Sequence, residues 1–330
     1  MKKALHIFAV NGKTNSGDFF LGPATKWKFE SIVGNQVVWS DFDVRRLVTE
    51  NDINYFNSFD YIVVGGGGLL LPDTNPNMIS CWQWAISKNL IKSITSKIYV
   101  LGLGWNLFYG QTVMMPHRDK DDEVYERKQI FKENLETLIM KSEIFSMRHI
   151  GDCDRLKELV DKKVHNNIEF NLCPVVGYVE SRYKPTFTNK NVFHTFEIKD
   201  ERPNRRYHKK PRNTFYEELY RYIKKLSDRG EHIAVMSHDG SSSFIQFLAQ
   251  RQIGFTIINN TIANEEKIID NYSQVKKLYC TAGHSQMMAY ALGIKFYSLL
   301  THDKLKYFLQ DVGEFEDKNY CLVNEENICG

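Results

Sequence analysis

A histidine at the turn from an apolar strand into a helix, and an arginine at the end of another strand, are the side chains here best suited to proton and anion chemistry. The histidine is His284 in "YCTAGHSQMMAYALG", where Gly283 makes the turn and Ser285 begins the helix. An imidazole there can bond an anion or donate a proton, and the helix N-terminus adds positive potential. The arginine is Arg148 in "SMRHIGDCD", directly after a strand. Its planar fork suits a carboxylate or phosphate. A capping ion pair with Asp152 or Asp154 is the competing reading.

Four other polar or glycine-rich stretches follow strands. In "NGKTNSGDFF", residues Asn15, Ser16, Gly17 and Asp18 open a helix and offer backbone N–H groups and short polar side chains to a ligand. The alternative is a plain helix cap. "VVGGGGLLL" (63–71) gives up side chains at Gly65, Gly66, Gly67 and Gly68, although each glycine costs backbone entropy. Something must approach this backbone closely, whether substrate, phosphate or a packed helix, or the run is a tight turn. No Gly-Lys-Ser/Thr follows, so it is not a Walker loop. "LGLGWNLFYG" puts Trp105 and Asn106 at a strand end, and a buried structural tryptophan competes with a binding role there. His238 in "MSHDGSSS" occupies the turn one strand–helix unit before that of His284, whereas His117 and His194 sit at no such turn. The basic run "RPNRRYHKKPR" reads as a solvated loop, or as a clamp for a diphosphate-bearing acceptor or an anionic membrane face.

The elements that must position these residues alternate. "ALHIFAV" (4–10), "QVVWSDF" (36–42), "YIVVGGGG" (61–68) and "KIYVLGLG" (97–104) read as buried strands. Helices are expected around "FFLGPATKWKFESI", "NMISCWQWAISKNLIKSI" and "DEVYERKQIFKENLETLIMKS" (122–142), the last with Tyr125, Ile130, Leu135, Leu138 and Ile139 on its apolar face. After a polar, proline-containing stretch the alternation resumes, down to a closing strand "KFYSLL". The expected fold is therefore α/β: two Rossmann-like domains, residues 1–185 and 186–330, facing a central cleft. In such sheets ligands bind beyond the carboxyl ends of the strands.

Composition excludes several classes. With 330 residues, 42% hydrophobic and 25% charged, the chain is an ordinary globular one with no sign of disorder or coiled coil. A net charge of +3 with no nucleic-acid motif argues against a nucleic-acid partner. Six scattered cysteines without metal-ligand spacing read as reduced, mostly buried thiols, so a cytoplasmic protein with no metal and no cofactor is expected. The apolar run after "MKK" is too short for a signal peptide, and no later stretch suits a bilayer.

The order of these loops resembles the polysaccharide pyruvyl transferases. The resemblance rests on "NSGD" (15–18), "VGGGGLL" (64–70), "SMRHIGDCDRLKEL" (146–159), "AGHSQMMAYALGI" (282–294) and "THDKLKYFLQDVG" (301–313), and so spans nearly the whole chain. It implies a GT-B-like fold and transfer of a pyruvyl group from phosphoenolpyruvate to sugar hydroxyls, usually as a cyclic ketal, in exopolysaccharide or capsule biosynthesis. By this likeness Arg148 holds the donor's carboxylate or phosphate, and His284 binds phosphate or delivers the proton. Asn15, Ser16, Gly17, Asp18, Gly66, Gly67, Asn106, His238, Gly283, Ser285 and Lys304 complete the expected substrate-binding set. The acceptor is a glycan or lipid-linked sugar, with peripheral membrane contact. One departure stands out: where the family has an arginine before Leu-His, this chain has Ala282. Lys304 and the basic loop are the candidate replacements for that charge. Two alternatives to pyruvyl transfer are a glycosyltransferase with a nucleotide-sugar donor, and a non-catalytic binding protein on the same scaffold.

Overall fold

The computed structural model describes residues 1–10, 16–72, 75, 77–106, 121–200, 212–237, 241–261, 264–315 and 320–321. Asn15, His117, His238 and the basic run through residue 211 lie outside them. Two compact units are present: one carries the chain up to Pro174, and the second carries it from Val175 onward. The long N-terminal helix α1 (Ser16–Val33) is shared, with Phe20 belonging to the second unit and Leu21 to the first.

The first unit is built on β1 (Lys3–Phe8), β2 (Val38–Asp43), β3 (Tyr61–Leu70), β4 (Lys97–Trp105), β5 (Ser142–Met147) and β6 (Ile168–Phe170). They form one sheet in the order β2-β1-β3-β4-β5-β6, every pair parallel. Helices cover both faces, so the central strands are buried on both sides and read as continuous apolar runs rather than alternating ones. Ile62, Val63 and Val64 of β3 and Ile98, Val100 and Leu103 of β4 are all fully buried.

Between the strands lie α2 (Glu50–Phe56), α3 (Lys88–Ser93), α4 (Asp121–Lys141) and α5 (Ile150–Leu159). α4 turns Phe131, Leu135, Leu138 and Ile139 into the core. Tyr125, expected on that face, is instead exposed. It stands six residues before Phe131, about 120° around the helix at 100° per residue.

Two further readings are decided by the fold. The glycine run is not the tight turn offered as an alternative: Gly65 to Gly68 all lie within β3, as the strand reading over 61–68 expects. The helix expected over "NMISCWQWAISKNLIKSI" forms only at Lys88–Ser93. The preceding residues wrap around the Asn77 side chain, whose Oδ1 accepts N–H bonds from Ile79, Ser80 and Cys81. An asparagine that gathers three local amides offers the backbone an alternative to a helix.

The second unit begins with α6 (Pro174–Arg182), followed by β7 (Phe193–Glu197), α7 (Arg212–Asp228), β8 (His232–Ser237), α8 (Ser242–Gln250) and β9 (Thr256–Asn259). Then come α9 (Glu265–Ser273), β10 (Val275–Cys280), α10 (Gly283–Leu292), β11 (Phe296–Leu299), α11 (Asp303–Asp311) and β12 (Tyr320–Cys321). Again all pairs are parallel, in the order β12-β11-β10-β7-β8-β9. β11 is therefore not the closing strand, since β12 pairs beyond it at the edge. Counted within the unit this order is 3-2-1-4-5-6, that of the dinucleotide-binding fold, while the first unit's order begins 2-1-3-4-5 as in flavodoxin. Each sheet reverses once: the first unit between β1 and β3, the second between β7 and β10. Crevices for ligands open at such points, beyond the strands' carboxyl ends.

Among the described residues no helix is long and apolar enough to cross a membrane. Cys81, Cys153, Cys173 and Cys280 are buried thiols.

Candidate functional site

In the first unit, β5 hands the chain directly to Arg148, whose N–H continues the ladder to Leu103 O at 3.0 Å. The side chain is 5% exposed. It lies flat on Gly104 of β4, so closely that any Cβ there would collide with the guanidinium. Its Nη2 donates to Asn106 Oδ1 at 3.3 Å, and its Nε stands 3.9 Å from Asp152 Oδ2. Asn106 in turn donates through Nδ2 to Gly68 O at 2.9 Å and occupies the space a Cβ on Gly68 would need. Asp152, fully buried in the first turn of α5, accepts the Trp105 N–H at 3.2 Å. Gly68, Asn106 and Arg148, from three separate stretches of the sequence, thus form one polar platform over two glycines. The Arg148–Asp152 pair expected as the competing reading is present as well.

The rest of the glycine run is occupied by the protein itself. A Cβ on Gly66 would sit 2.6 Å from Thr25 Oγ1, and one on Gly67 2.8 Å from a Leu21 methyl, both on α1. Gly65, at φ +135°, lies against the Leu101 carbonyl. Beneath it His6 is fully buried, stacked on Phe8 with ring centroids 4.1 Å apart, and its Nε2 bonds Gly65 O at 3.0 Å. A carbonyl acceptor fixes the proton on Nε2. Burial pushes the imidazole pKa down to about 4, against the opposing pull of the Gly65 bond. Ser16, Gly17 and Asp18 form the first turn of α1.

In the second unit the chemistry gathers at the β7/β10 reversal. Ala282 is the N-cap of α10 and Gly283, His284 and Ser285 are its first turn. Gly283 and Ser285 are buried, and His284 is half-buried. Lys304, in the first turn of α11, lies across Gly283: a Cβ there would come 3.1 to 3.4 Å from Cε, Cδ and Cγ of the lysine. Ser285 faces Tyr272, whose phenol burial drives far above its usual range.

Residues missed from the sequence complete this end of the sheet. Glu197, fully buried at the end of β7, accepts the Ala282 N–H at 2.9 Å and the Thr281 N–H at 3.2 Å on Oε2. The buried Lys199 donates its N–H to Thr281 Oγ1 at 3.0 Å. Asp200 accepts the Ser243 N–H at 2.8 Å and the Phe244 N–H at 3.1 Å, closing the N-terminus of α8. The signal was present in "FHTFEIKD", where charges follow an apolar strand without a break. Nothing in the sequence alone says that this strand lies next to β10.

A family model described as polysaccharide pyruvyl transferase matches residues 15–303. Among curated proteins none matches the sequence. Solved structures similar in chain trace include the UDP-GlcNAc 2-epimerase of Methanocaldococcus jannaschii in complex with UDP-GlcNAc and UDP, at 10% identity and a TM-score of 0.48, covering 100% of this chain and 96% of that one. A UDP-GlcNAc 2-epimerase from Neisseria meningitidis bound to UDP-GlcNAc aligns at 10% identity and 0.46, over 98% and 95% of the two chains. An alpha-glucosyltransferase in complex with UDP aligns at 10% and 0.46, over 91% and 80%. The family match takes in β3 with its glycines, the Arg148 platform and the turn bearing His284, and on that match the chain belongs to the polysaccharide pyruvyl transferase family.

Proposed function

We propose that the protein transfers a pyruvyl group from phosphoenolpyruvate to hydroxyls of a glycan or lipid-linked sugar in the assembly of a cell-surface polysaccharide. The observation that carries this reading is Lys304 laid across Gly283. Next to Ala282, where the family pattern has an arginine, the stem of a lysine lies against the turn at a residue with no Cβ.

The roles follow from the chemistry of the donor. His284 protonates the methylene carbon of phosphoenolpyruvate, leaving an oxocarbenium-like C2. A sugar hydroxyl adds to C2 and loses its proton, the C–O bond to phosphate breaks, and inorganic phosphate departs with the electron pair. A second hydroxyl of the same sugar closes the ketal. Lys304 in the second unit and Arg148 in the first each offer a cation to a carboxylate or phosphate, an interaction worth most where water is excluded. Gly283, Ser285 and Asn106 shape the surroundings of these cations. Ser16, Gly17 and Asp18 offer the start of α1 to the acceptor.

Two further observations support a small donor over a nucleotide sugar. The α8 amides are closed by Asp200, and the amides before α10 by Glu197. Those turns offer a diphosphate carboxylates rather than open N–H groups.

A thermal-shift titration tests the donor. Phosphoenolpyruvate at a hundred times its Kd adds about 2.7 kcal/mol of apparent stability. UDP-sugars are expected to add none. Phosphate release from phosphoenolpyruvate, followed by 31P NMR with a diol-bearing glycan, then reads the transfer. Stabilisation by UDP-sugars alone would replace this reading with glycosyl transfer, and phosphoenolpyruvate binding without turnover on any glycan would leave a binding protein.

A further inference from the structure

The acid that ends β7 is placed where no local residue does its work. Glu197 is fully buried, and its carboxylate reaches across the reversal of the sheet to the Thr281 and Ala282 amides, at 3.2 and 2.9 Å. Ordinary ladder bonding does not need it: Glu197 O already takes the Thr281 N–H at 3.0 Å and the Thr281 hydroxyl at 3.3 Å. The extra bond goes to Ala282, the N-cap of α10, which has no side-chain oxygen of its own. In a local capping box the residue three positions on returns a carboxylate or carboxamide to the N-cap amide. Here that residue is Ser285, and the observed carboxylate on the N-cap amide is that of Glu197. A strand distant in sequence supplies the missing acceptor. It does so from a buried carboxyl group, whose oxygens are costly to bury unless they accept hydrogen bonds.

We propose that Glu197 is the positioning residue of the turn: its carboxylate locks the Thr281 and Ala282 amides, and through them fixes the angle at which Gly283 and His284 leave the strand. Its effect on donor binding rests on the role given to His284 above. Its effect on the turn does not.

Glu197→Gln keeps the size and one acceptor oxygen but removes the charge, and Glu197→Asp keeps the charge with a shorter reach. Amide hydrogen exchange is expected to quicken at least about tenfold at Ala282 in Glu197→Gln, the range of a weakened buried bond, and less at Thr281, which keeps its ladder bond to Glu197 O. The amides of α7 should exchange as in the unaltered protein. The apparent Kd for phosphoenolpyruvate, from the thermal titration, should weaken at least about tenfold by the same scale, with Glu197→Asp recovering part of the loss. Unchanged exchange at both amides in Glu197→Gln overturns the proposal, as does a Glu197→Asp variant no better than the glutamine. If the unaltered protein gains nothing from phosphoenolpyruvate, the donor assignment fails, and the exchange rates alone decide the role of Glu197.

Discussion

The carboxyl ends of the two sheets solve one problem in opposite ways. In the first unit side chains are deleted: Gly68 and Gly104 have none, so Asn106 and Arg148 lie directly on the backbone. In the second unit a charge is added: Glu197 reaches over and ties down the turn. Deletion makes room and relies on close packing to hold what enters. A buried carboxylate needs no room but demands that both of its partners stay in place. The first kind of site should therefore fail by steric collision, and the second by loss of charge.

The largest expected effect is at Gly65. Its φ of +135° and its contact with the Leu101 carbonyl combine backbone strain with overpacking. Gly65→Ala is expected to cost about 4 kcal/mol, read from denaturant unfolding. A loss near zero would break the contrast drawn above.

Next comes acid sensitivity of the first unit through His6. Its folded pKa, about 4, lies below the ordinary value of 6.5, so it stays neutral in the fold and takes up a proton on unfolding. Stability is then complete above pH 6.5 and falls as pH drops from there toward 4, by about 3 kcal/mol in all. The difference in unfolding free energy between the unaltered protein and His6→Gln, followed over this range, isolates that slope. In the second unit His194 is also held below its usual pKa, by burial, but the Glu231 carboxylate at 3.3 Å pulls it back. His194→Gln should flatten the acid dependence less than His6→Gln.

Arg148→Lys sharpens the comparison on function. Charge is kept, but the fork that spans Asn106 and Asp152 is lost, and phosphate release is expected to fall about a hundredfold. An unaltered rate would remove Arg148 from the proposed machinery.

The smallest effect is expected at Gly293, which closes α10 at φ +72° with nothing within 4 Å of a Cβ. Gly293→Ala should cost about 1 kcal/mol, the strain of a left-handed alanine alone. A thermal melt measures it, and a cost equal to that of Gly65→Ala would mean that crowding at Gly65 contributes nothing.

Much of the fold could be read from the chain because parallel strands buried on both faces announce themselves as unbroken apolar runs. β1, β3 and β4 lie near their expected places. The glycine run left a turn open as an alternative because glycine signals a turn by composition, while here it answers to neighbours distant in sequence: Thr25, Leu21, Leu101 and Asn106. Tyr125 misled for a simpler reason, since an apolar ring six residues from the core stripe still resembles part of it. His284, Gly283 and Lys304 were legible as polar residues at helix starts. Glu197 was not, because an acid at the end of a strand acquires meaning only from the strand beside it.

By itself the sequence determined the alternation of strands and helices, the two successive sheets and the identity of the cationic and imidazole groups, since hydrophobic period and residue chemistry are local properties. Only the tertiary structure decided that β7 pairs with β10, that Arg148 rests on Gly104, and that Lys304 crosses Gly283. Those are pairings between segments far apart in the chain, and strand order follows from how a whole sheet buries its faces, which no single segment encodes.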